Sequence, residues 1–247
     1  GKPSPLGELP IQYSDYACWH KQSLESGVLQ SEIPYWKKKL AGPLPVMDLP
    51  GDHPRALGAP SRGARSRQTL STELLEAMRR FSLAENATPF ATLLAAFKLL
   101  LFRYTRQADV VVGSATAGRN RPELEKLIGL FINNLVLRTD LSGDPTVTEL
   151  VARVRDTALN ASAHPNIPLD LLAEVLQPNR DLNRPPLFQV MFVMQNFPQM
   201  PLELAGLTIT PFEVDTGSAR FDLTVDVLEK GNQLELRWEY NADLFET

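Results

Sequence analysis

The sequence predicts an α/β fold in which helices pack against a mixed β-sheet. Helical and strand-like segments alternate through the middle of the chain, and strand-like segments cluster towards its C-terminal end. The chain has 247 residues, of which 43% are apolar, so it can bury a sizeable core as one large domain or two small ones.

The first part of the chain is predicted to hold two short helices and a long loop. The first helix covers residues 13–24 with Ser14 as its N-cap, and the second covers residues 31–40 with Trp36 on its apolar side. Residues 41–66 are dominated by proline, glycine and arginine, which indicates an irregular, mobile surface connection.

Two longer helices are predicted next, after a short strand over residues 67–70. Residues 73–85 carry their apolar side chains at helical spacing. Thr88 is an N-cap and Pro89 is at the first helical position, so they open a helix over residues 90–104. Because that helix is apolar around most of its circumference, we expect it to be central and buried.

The rest of the chain is predicted to supply most of the sheet. Thr146 and Glu149 form a capping-box pattern that begins an amphipathic helix, and Gly231 with Asn232 indicates a hairpin turn. The predicted strands cover residues 109–118, 131–137, 187–196, 207–214, 221–230 and 233–241, with a helical turn at 120–127 and a helix start at 242–247.

Composition argues against several classes of function. Lysine and arginine number 25 against 29 acidic residues, so the chain shows no basic footprint for nucleic acid or an anionic membrane. No apolar run reaches the length of a membrane span. A single cysteine, Cys18, and three scattered histidines predict neither a disulfide framework nor a metal site, and they suit a reducing, cytoplasmic location.

A search for catalytic side chains finds two weak pairs. Cys18 and His20 lie two positions apart on a predicted helix, where side chains do not face each other, so a core thiol and a surface histidine are favoured. Asp222 and Asp226 share one face of a strand, and a solvated sheet face is favoured over paired acid/base catalysis.

Asn133 and Asn134 are two amide residues in a segment that is predicted to be buried. They lie within residues 131–137, where apolar side chains at both parities indicate a strand covered on both faces. A buried amide without hydrogen-bond partners costs roughly 1–3 kcal/mol, so both side chains need somewhere to point. The alternatives are a neighbouring backbone carbonyl and a ligand.

Several motifs resemble one known family. Tyr13 to Trp19 (YSDYACW) resembles the motif YxDYAxW, and Ile128 to Asn133 resembles IGxFVNT, with Asn134 in place of threonine. Further along, RDLNRPPLFQ at 180–189 resembles RDxSRNPLFQ, HPNIPLD at 164–170 is a degraded (H/N)QDYPFE, ARFDLT at 219–224 resembles KFDLT, and 240–245 resembles YxxDLF. In this order and over nearly the whole chain, the motifs resemble the C-terminal half of a condensation domain of nonribosomal peptide synthetases.

The resemblance implies a lobe of a chloramphenicol acetyltransferase-like fold. Residues 1–247 would be the C-terminal lobe, with residues 41–66 as a loop within it, and a tunnel would run between the two lobes. The family joins acyl or peptidyl and aminoacyl thioesters into a peptide bond, so no cofactor is expected beyond the phosphopantetheine arms of carrier proteins. The implied partners are the N-terminal lobe, donor and acceptor peptidyl carrier proteins and neighbouring synthetase domains, with no nucleic acid and no membrane.

The resemblance also implies roles for individual residues. No catalytic residue is assigned, because the family's HHxxxDG motif lies in the N-terminal lobe and this sequence has no adjacent histidines. We therefore expect the isolated chain to be inactive, and to self-associate where the missing lobe leaves apolar surface. The expected tunnel residues are Asn133, Asn134, Ser218 and Arg220, and the expected structural residues are Tyr13, Asp15, Trp19, Gly129, Phe131, Arg180, Asp181, Arg184 and Asp222.

Two other functions remain open at this stage. One is an epimerisation or cyclisation enzyme with the same fold, whose distinguishing motif would lie in the N-terminal lobe. The other is a noncatalytic module that only docks carrier proteins. Residues 114–123 and 195–205 occupy places from which this family sends crossing segments to the other lobe.

Overall fold

The sheet and its helices are described in a computed structural model covering residues 7–27, 29–55, 61–176, 183–195, 206–207, 209–210, 212 and 214–246. The strands are β1 (Gly63–Leu70), β2 (Asp109–Thr116), β3 (Asn133–Asp140), β4 (Val190–Gln195), β5 (Leu223–Lys230) and β6 (Gln233–Asn241). The helices are α1 (Tyr13–Glu25), α2 (Ile33–Lys39), α3 (Thr72–Ala84), α4 (Pro89–Thr105), α5 (Val147–Ser162) and α6 (Leu169–Leu176), with 3-10 turns at Leu29–Glu32 and Pro122–Leu124.

Across these ranges the strands form one six-stranded mixed sheet, which confirms the predicted fold class. The strand order is β1-β6-β5-β4-β2-β3, so β1 and β3 are the edges. β4 is parallel to both of its neighbours, and the other pairs are antiparallel. β2 and β4 share a single paired position, Gly113 with Met191, whereas β4 is paired with β5 along the whole length of β4.

Several predicted helix and turn signals are confirmed. Thr88 accepts a hydrogen bond from the Ala91 amide at 3.2 Å and begins α4. Thr146 and Glu149 form the reciprocal capping box that begins α5. Lys230 pairs with Gln233 across the predicted hairpin turn, where Gly231 has a φ of +59°. These local signals therefore determine where the elements start and reverse.

Other predicted boundaries are wrong for identifiable reasons. The N-cap of α1 is Gln12, not Ser14, and the backbone amide of Gln12 donates a hydrogen bond to the Asp15 carboxylate at 2.8 Å. The predicted second helix is split into a 3-10 turn and α2, with a proline in the first turn of α2. Residues 242–244 form a turn, in which the Leu244 and Phe245 amides donate to the Asn241 carbonyl. The described residues within 207–214 belong to no strand.

The segment 41–66 is not wholly an irregular surface connection. Its last residues belong to β1, which pairs with β6 from Gly63 onward. Met47 is buried, and its amide donates to the side-chain carbonyl of Gln189 at 2.9 Å. This hydrogen bond fastens the middle of the segment to the residue that precedes β4.

Helix α4 is central, as predicted, and it carries an unexpected buried lysine. Lys98 is fully buried, and its side-chain nitrogen donates to the Leu137 carbonyl at 2.5 Å and to the Thr139 hydroxyl at 2.8 Å. Among the described helices no single one is long and apolar enough to cross a membrane; α3 and α4 together meet the length and composition criteria but are bent by 105°.

Candidate functional site

A cleft of about 350 Å³ opens where β2 ends and β3 begins. We call it the Asn133 cleft. Helix α1 forms one wall, the segment after β2 forms another, and the segment between α5 and α6 closes the third. Its lining residues are Tyr16, His20, Thr116, Ala117, Gly118, Arg119, Asn120, Leu130, Phe131, Ile132, Asn133, Ser162, Pro165, Asn166 and Pro168.

Aromatic packing joins α1 to the segment before β3. The Tyr13 hydroxyl donates to the Leu130 carbonyl at 3.0 Å, and its ring meets the Phe131 ring edge-on at 5.3 Å between centroids. A Cβ atom at Gly129 would lie 2.2 Å from the Tyr13 ring, which is closer than atoms can approach. Gly129 is therefore required for this contact, and Asp15 supports it by capping α1.

The segment after β2 folds back over the same aromatic rings. Gly118 has a φ of +65°, and a Cβ atom there would lie 1.8 Å from the Phe131 carbonyl oxygen. The Arg119 guanidinium lies 4.3 Å from the centre of the Phe131 ring, and that of Arg121 lies 4.5 Å from the centre of the Trp19 ring. Within residues 114–123, for which we expect a crossing to another lobe, Arg119 thus packs on the segment before β3 and Arg121 packs on α1.

The side chain of Asn133 bonds backbone groups. Its amide nitrogen donates to the carbonyls of Pro165, at 2.8 Å, and Ile167, at 2.6 Å. Its side-chain oxygen accepts from the Asn134 amide at 2.9 Å. Asn133 thus makes the backbone hydrogen bonds that one interpretation predicted, and it also lines the cleft.

Asn166 is a second amide residue that fixes the segment between α5 and α6. Asn166 donates to the Glu32 carboxylate through its backbone amide, at 3.1 Å, and its side chain, at 2.6 Å. Asn120 donates to the Asn166 side-chain oxygen at 3.2 Å. Trp36 donates to the His164 carbonyl at 3.2 Å, and the His164 ring stacks on Tyr35. The degraded motif at 164–170 is thus fixed by contacts from both sides.

His20 and Tyr16 place two stacked rings in the lining of the cleft. Their rings stack at 5.7 Å, and the His20 Nε2 lies 3.3 Å from the Asn166 carbonyl oxygen. Burial, and to a smaller degree the neighbouring Tyr13, raise the pKa of the Tyr16 hydroxyl, so Tyr16 stays neutral at physiological pH. The cleft therefore presents aromatic rings and the neutral Tyr16 hydroxyl alongside the Arg119 guanidinium.

The four expected tunnel residues are not brought together. Asn134 pairs with Ala115 in the ladder but does not line the Asn133 cleft. Ser218 is exposed and pairs with Arg62, next to β1. Arg220 is exposed, with its guanidinium 5.7 Å from the centre of the Phe221 ring. Since β1 and β3 are opposite edges of the sheet, Ser218 is separated from Asn133 by the width of the sheet.

Of the remaining predicted residues, Arg180 and Asp181 lie outside the residues that the structure describes. Arg184 is half-buried. Asp222 is buried and forms an ion pair with Arg55, so the solvated face expected for this carboxylate is wrong. Cys18 is exposed, so the expected core thiol is also wrong, because the side of α1 that packs on Phe131 carries Tyr13 and Tyr16 instead.

Four important residues were not identified from the sequence. Glu32 and Asn166 are far apart in the chain, and no local pattern links them. Lys98 is the polar residue in the middle of an otherwise apolar helix, and this position was the sequence signal that its side chain is buried. Gln189 ends a motif that was recognised, although its bond to Met47 was not expected. Among the described residues, no group of histidine, cysteine, aspartate and glutamate side chains could hold a metal ion.

Comparison with known proteins places these motifs in one family. The sequence profile described as the condensation domain matches residues 1–247. A linear gramicidin synthase from Brevibacillus parabrevis is 49% identical over 242 residues, which are 97% of this chain and 5% of that protein. Malpinin synthetase from Mortierella alpina is 41% identical over 246 residues, which are 100% of this chain and 3% of that protein. The chain thus spans a small fraction of these relatives.

Solved structures share the fold. The X-domain from teicoplanin biosynthesis superposes with a TM-score of 0.89 at 28% identity, covering 98% of this chain and 57% of that one. The condensation domain from the monacolin K polyketide synthase MokA superposes with a TM-score of 0.82 at 22% identity, covering 99% of this chain and 59% of that one. Because the family profile matches its whole length and relatives in peptide synthetases align along nearly all of it, the chain belongs to the condensation domain family.

Proposed function

We propose that this chain is the C-terminal lobe of a peptide-bond-forming condensation domain of a nonribosomal peptide synthetase, and that the Asn133 cleft forms part of its substrate tunnel. One observation carries this proposal. Three family motifs that are far apart in the sequence, around Tyr16, Phe131 and Asn166, meet at a single cleft.

The lining of the cleft suits an amide-bearing arm. A pantetheine chain presents two amides and short apolar segments, and it ends in the thioester. The cleft offers aromatic faces from Tyr16 and Phe131 and a side-chain amide from Asn120. Asn133 has both N–H groups engaged with backbone carbonyls, so we assign it to holding the wall in place. Its contribution to the reaction would be positioning of the arm.

The chemistry requires little from this lobe beyond orientation. The acceptor amine attacks the donor thioester carbonyl, the new C–N bond forms, the C–S bond breaks, and the thiolate takes up the proton lost by the amine. The family's histidine motif, which would order that amine, is not in this sequence. We propose that the phosphopantetheine arms belong to donor and acceptor carrier proteins, and that the assembly acts in the cytoplasm.

The exposed apolar residues beside the cleft fit the N-terminal lobe as a partner. Ile128, Leu130 and Ile132 alternate along the segment before β3 and are 95%, 72% and 63% exposed. Such a contiguous apolar stripe is unusual on the surface of a protein that acts alone. Asn134, Ser218 and Arg220 remain proposed tunnel residues, and they would meet substrate only where the second lobe closes over this one.

A docking function is the second candidate, because one structural relative supports it. The X-domain that superposes with a TM-score of 0.88 at 28% identity was solved in a complex with OxyB. A condensation-like fold can therefore bind another protein in the course of biosynthesis. On this hypothesis the present chain would recruit carrier proteins or other enzymes without forming a bond. An epimerisation or cyclisation enzyme remains a further alternative within the same fold.

The test is to supply the missing lobe. A separately produced N-terminal lobe with an intact HHxxxDG motif would be mixed with this chain and with two loaded carrier proteins. We expect dipeptidyl thioester, detected by intact-mass spectrometry, in the complete mixture and not with either lobe alone. A stable two-lobe complex that binds carriers and forms no product would favour docking, and condensation by this chain alone would contradict the division of roles.

A further inference from the structure

Residues 41–55 pass across one end of the sheet. The starts of β2, β4 and β5 lie at this end because these strands are parallel, and the ends of β3 and β6 lie there because each is antiparallel to its neighbour. Arg138, near the end of β3, donates to the Ala41 carbonyl at 2.6 Å. The Asp52 amide donates to the Leu244 carbonyl, shortly after β6, at 2.8 Å. The segment is therefore fastened on both sides of the junction between β2 and β4.

Three consecutive residues of this segment bridge the junction. Gln107, two residues before β2, donates from its side-chain amide to the Val46 carbonyl at 2.9 Å and accepts from the Asp48 amide at 3.2 Å. Gln189, the residue before β4, accepts from the Met47 amide at 2.9 Å. Partners that alternate in this way along a chain are those of a strand bonded at both edges. We call Gln107, Gln189 and the three residues between them in space the glutamine clasp.

The β4 side of the clasp is anchored in the core. Gln189 and Met47 are both buried. The Gln189 side-chain amide donates to the Pro185 carbonyl at 3.2 Å, and its backbone carbonyl accepts from the Asp222 amide at 2.9 Å. A buried amide that loses a partner is costly, so the contact with Met47 is firmly held. Gln107, on the β2 side, is half-buried and can be replaced without opening the core.

The clasp lies where the sheet has least backbone pairing. Every residue of β2 is paired with β3, and every residue of β4 is paired with β5. Between β2 and β4 the paired position is Gly113 with Met191, and the Phe188 ring lies against Gly113, where a Cβ atom would be 2.1 Å from it. The sheet thus has two continuous halves, β3-β2 and β4-β5-β6-β1, and the clasp bonds one half to the other.

We propose that the glutamine clasp is a conformational lock, which holds the β3-β2 half against the β4-β5-β6-β1 half and whose release lets the junction open while each half stays folded. The clasp acts on the sheet whatever the chain binds. Asn133 lies on the first half, and Ser218 lies beside β1 on the second. Under the proposed function the clasp would also set the distance between these two residues, and only that consequence rests on the proposed function.

The test removes the β2 side of the clasp. Gln107→Met in the 247-residue chain eliminates both hydrogen bonds of the Gln107 side chain and keeps its length. Hydrogen–deuterium exchange, read by mass spectrometry, should become at least about tenfold faster in peptides over 110–115 and 189–193, on the scale of two net hydrogen bonds. Peptides over 223–241 should be unchanged. Gln68→Met, at an exposed glutamine of β1, is the matched control and should alter neither set.

The pattern of exchange decides between a lock and a general contribution to stability. Equal acceleration in all peptides would show that Gln107 stabilises the whole fold, and unchanged exchange at the junction would show that the clasp carries no load there. Either result overturns the inference. If Gln107→Met does not fold, Gln107→Glu keeps the acceptor for Asp48 and loses the donor to Val46, so it should give a smaller acceleration in the same peptides. Because no carrier protein takes part, failure of the clasp leaves the proposed function untouched.

Discussion

Two glycines, one at the Asn133 cleft and one in the core, are required because a neighbouring ring lies too close for any side chain. Gly129 has the Tyr13 ring where a side chain would begin, and Gly113 has the Phe188 ring in the same relation within the core. Neither glycine requires an unusual backbone angle. Both positions require glycine because a larger side chain has no room there. The sequence motif alone does not show which ring fills that space.

Gly129→Ala tests this packing argument. The new methyl group would force the Tyr13 ring away and weaken its hydrogen bond to Leu130, so we expect a loss of roughly 1–3 kcal/mol in the free energy of unfolding, typical of overpacking. Urea denaturation followed by fluorescence would measure it. Gly7→Ala is the control, because no atom lies within 4 Å of the added group. Equal stability of both variants would contradict the requirement for space.

Lys98 gives a second prediction at this scale. Burial, with a smaller contribution from Lys39, lowers the pKa of the Lys98 ammonium well below its ordinary value, and Asp109 opposes that shift. Between the lowered pKa and the ordinary value of about 10.4, the unfolded chain binds a proton that the folded chain does not. The free energy of unfolding therefore rises with pH in this window, by at most about 1.4 kcal/mol per pH unit.

Lys98→Met should abolish that dependence. We expect the stability of the natural chain relative to this variant to increase with pH up to about pH 10, because only the lysine side chain has a pKa that differs between the folded and unfolded chain. Lys37→Met is the matched control, because it makes the same substitution at an exposed position of α2. A constant offset for Lys98→Met over the same range would show that Lys98 keeps its proton when buried.

At the scale of elements, features that depend on local signals could be predicted from the sequence, and features that depend on long-range contacts could not. Caps such as Thr88 and Thr146 and the Gly231 turn are encoded within a few residues, and the sequence was sufficient to place them. The start of β1 depends on pairing with β6, more than 150 residues away along the chain, and strand formation in general depends on such context. The cleft itself could be suspected from Asn133, but its walls depend on the contacts of Glu32 and Arg119.

Glu32→Gln tests how firmly the wall between α5 and α6 is held. The amide keeps one acceptor oxygen but loses the charge that strengthens both hydrogen bonds from Asn166. We expect faster hydrogen exchange at the Asn166 amide, by about tenfold, as local opening becomes easier. Glu25→Gln, which weakens only an exposed contact with Lys21, is the matched control and should leave that rate unchanged.

At the scale of the whole molecule, the apolar stripe of Ile128, Leu130 and Ile132 predicts the behaviour of the isolated chain. Because this stripe is exposed to solvent in the chain, we expect self-association that increases with protein concentration in sedimentation velocity. Replacing Ile128 and Leu130 by glutamine should weaken it about a hundredfold or more, because burying each of these side chains is worth about 1.5–3 kcal/mol. Leu83→Gln, at an exposed position of α3, should not. A single monomeric species at all concentrations would contradict the expectation.

The junction between β2 and β4 has a mechanical consequence. One paired position, Gly113 with Met191, connects the two strands that carry the cleft to the four strands that carry the region around Ser218. Regions held by few backbone hydrogen bonds open at lower free energy than continuous ladders. We therefore expect the backbone ladder between β2 and β4 to be the place where this sheet flexes most readily, next to Gly113.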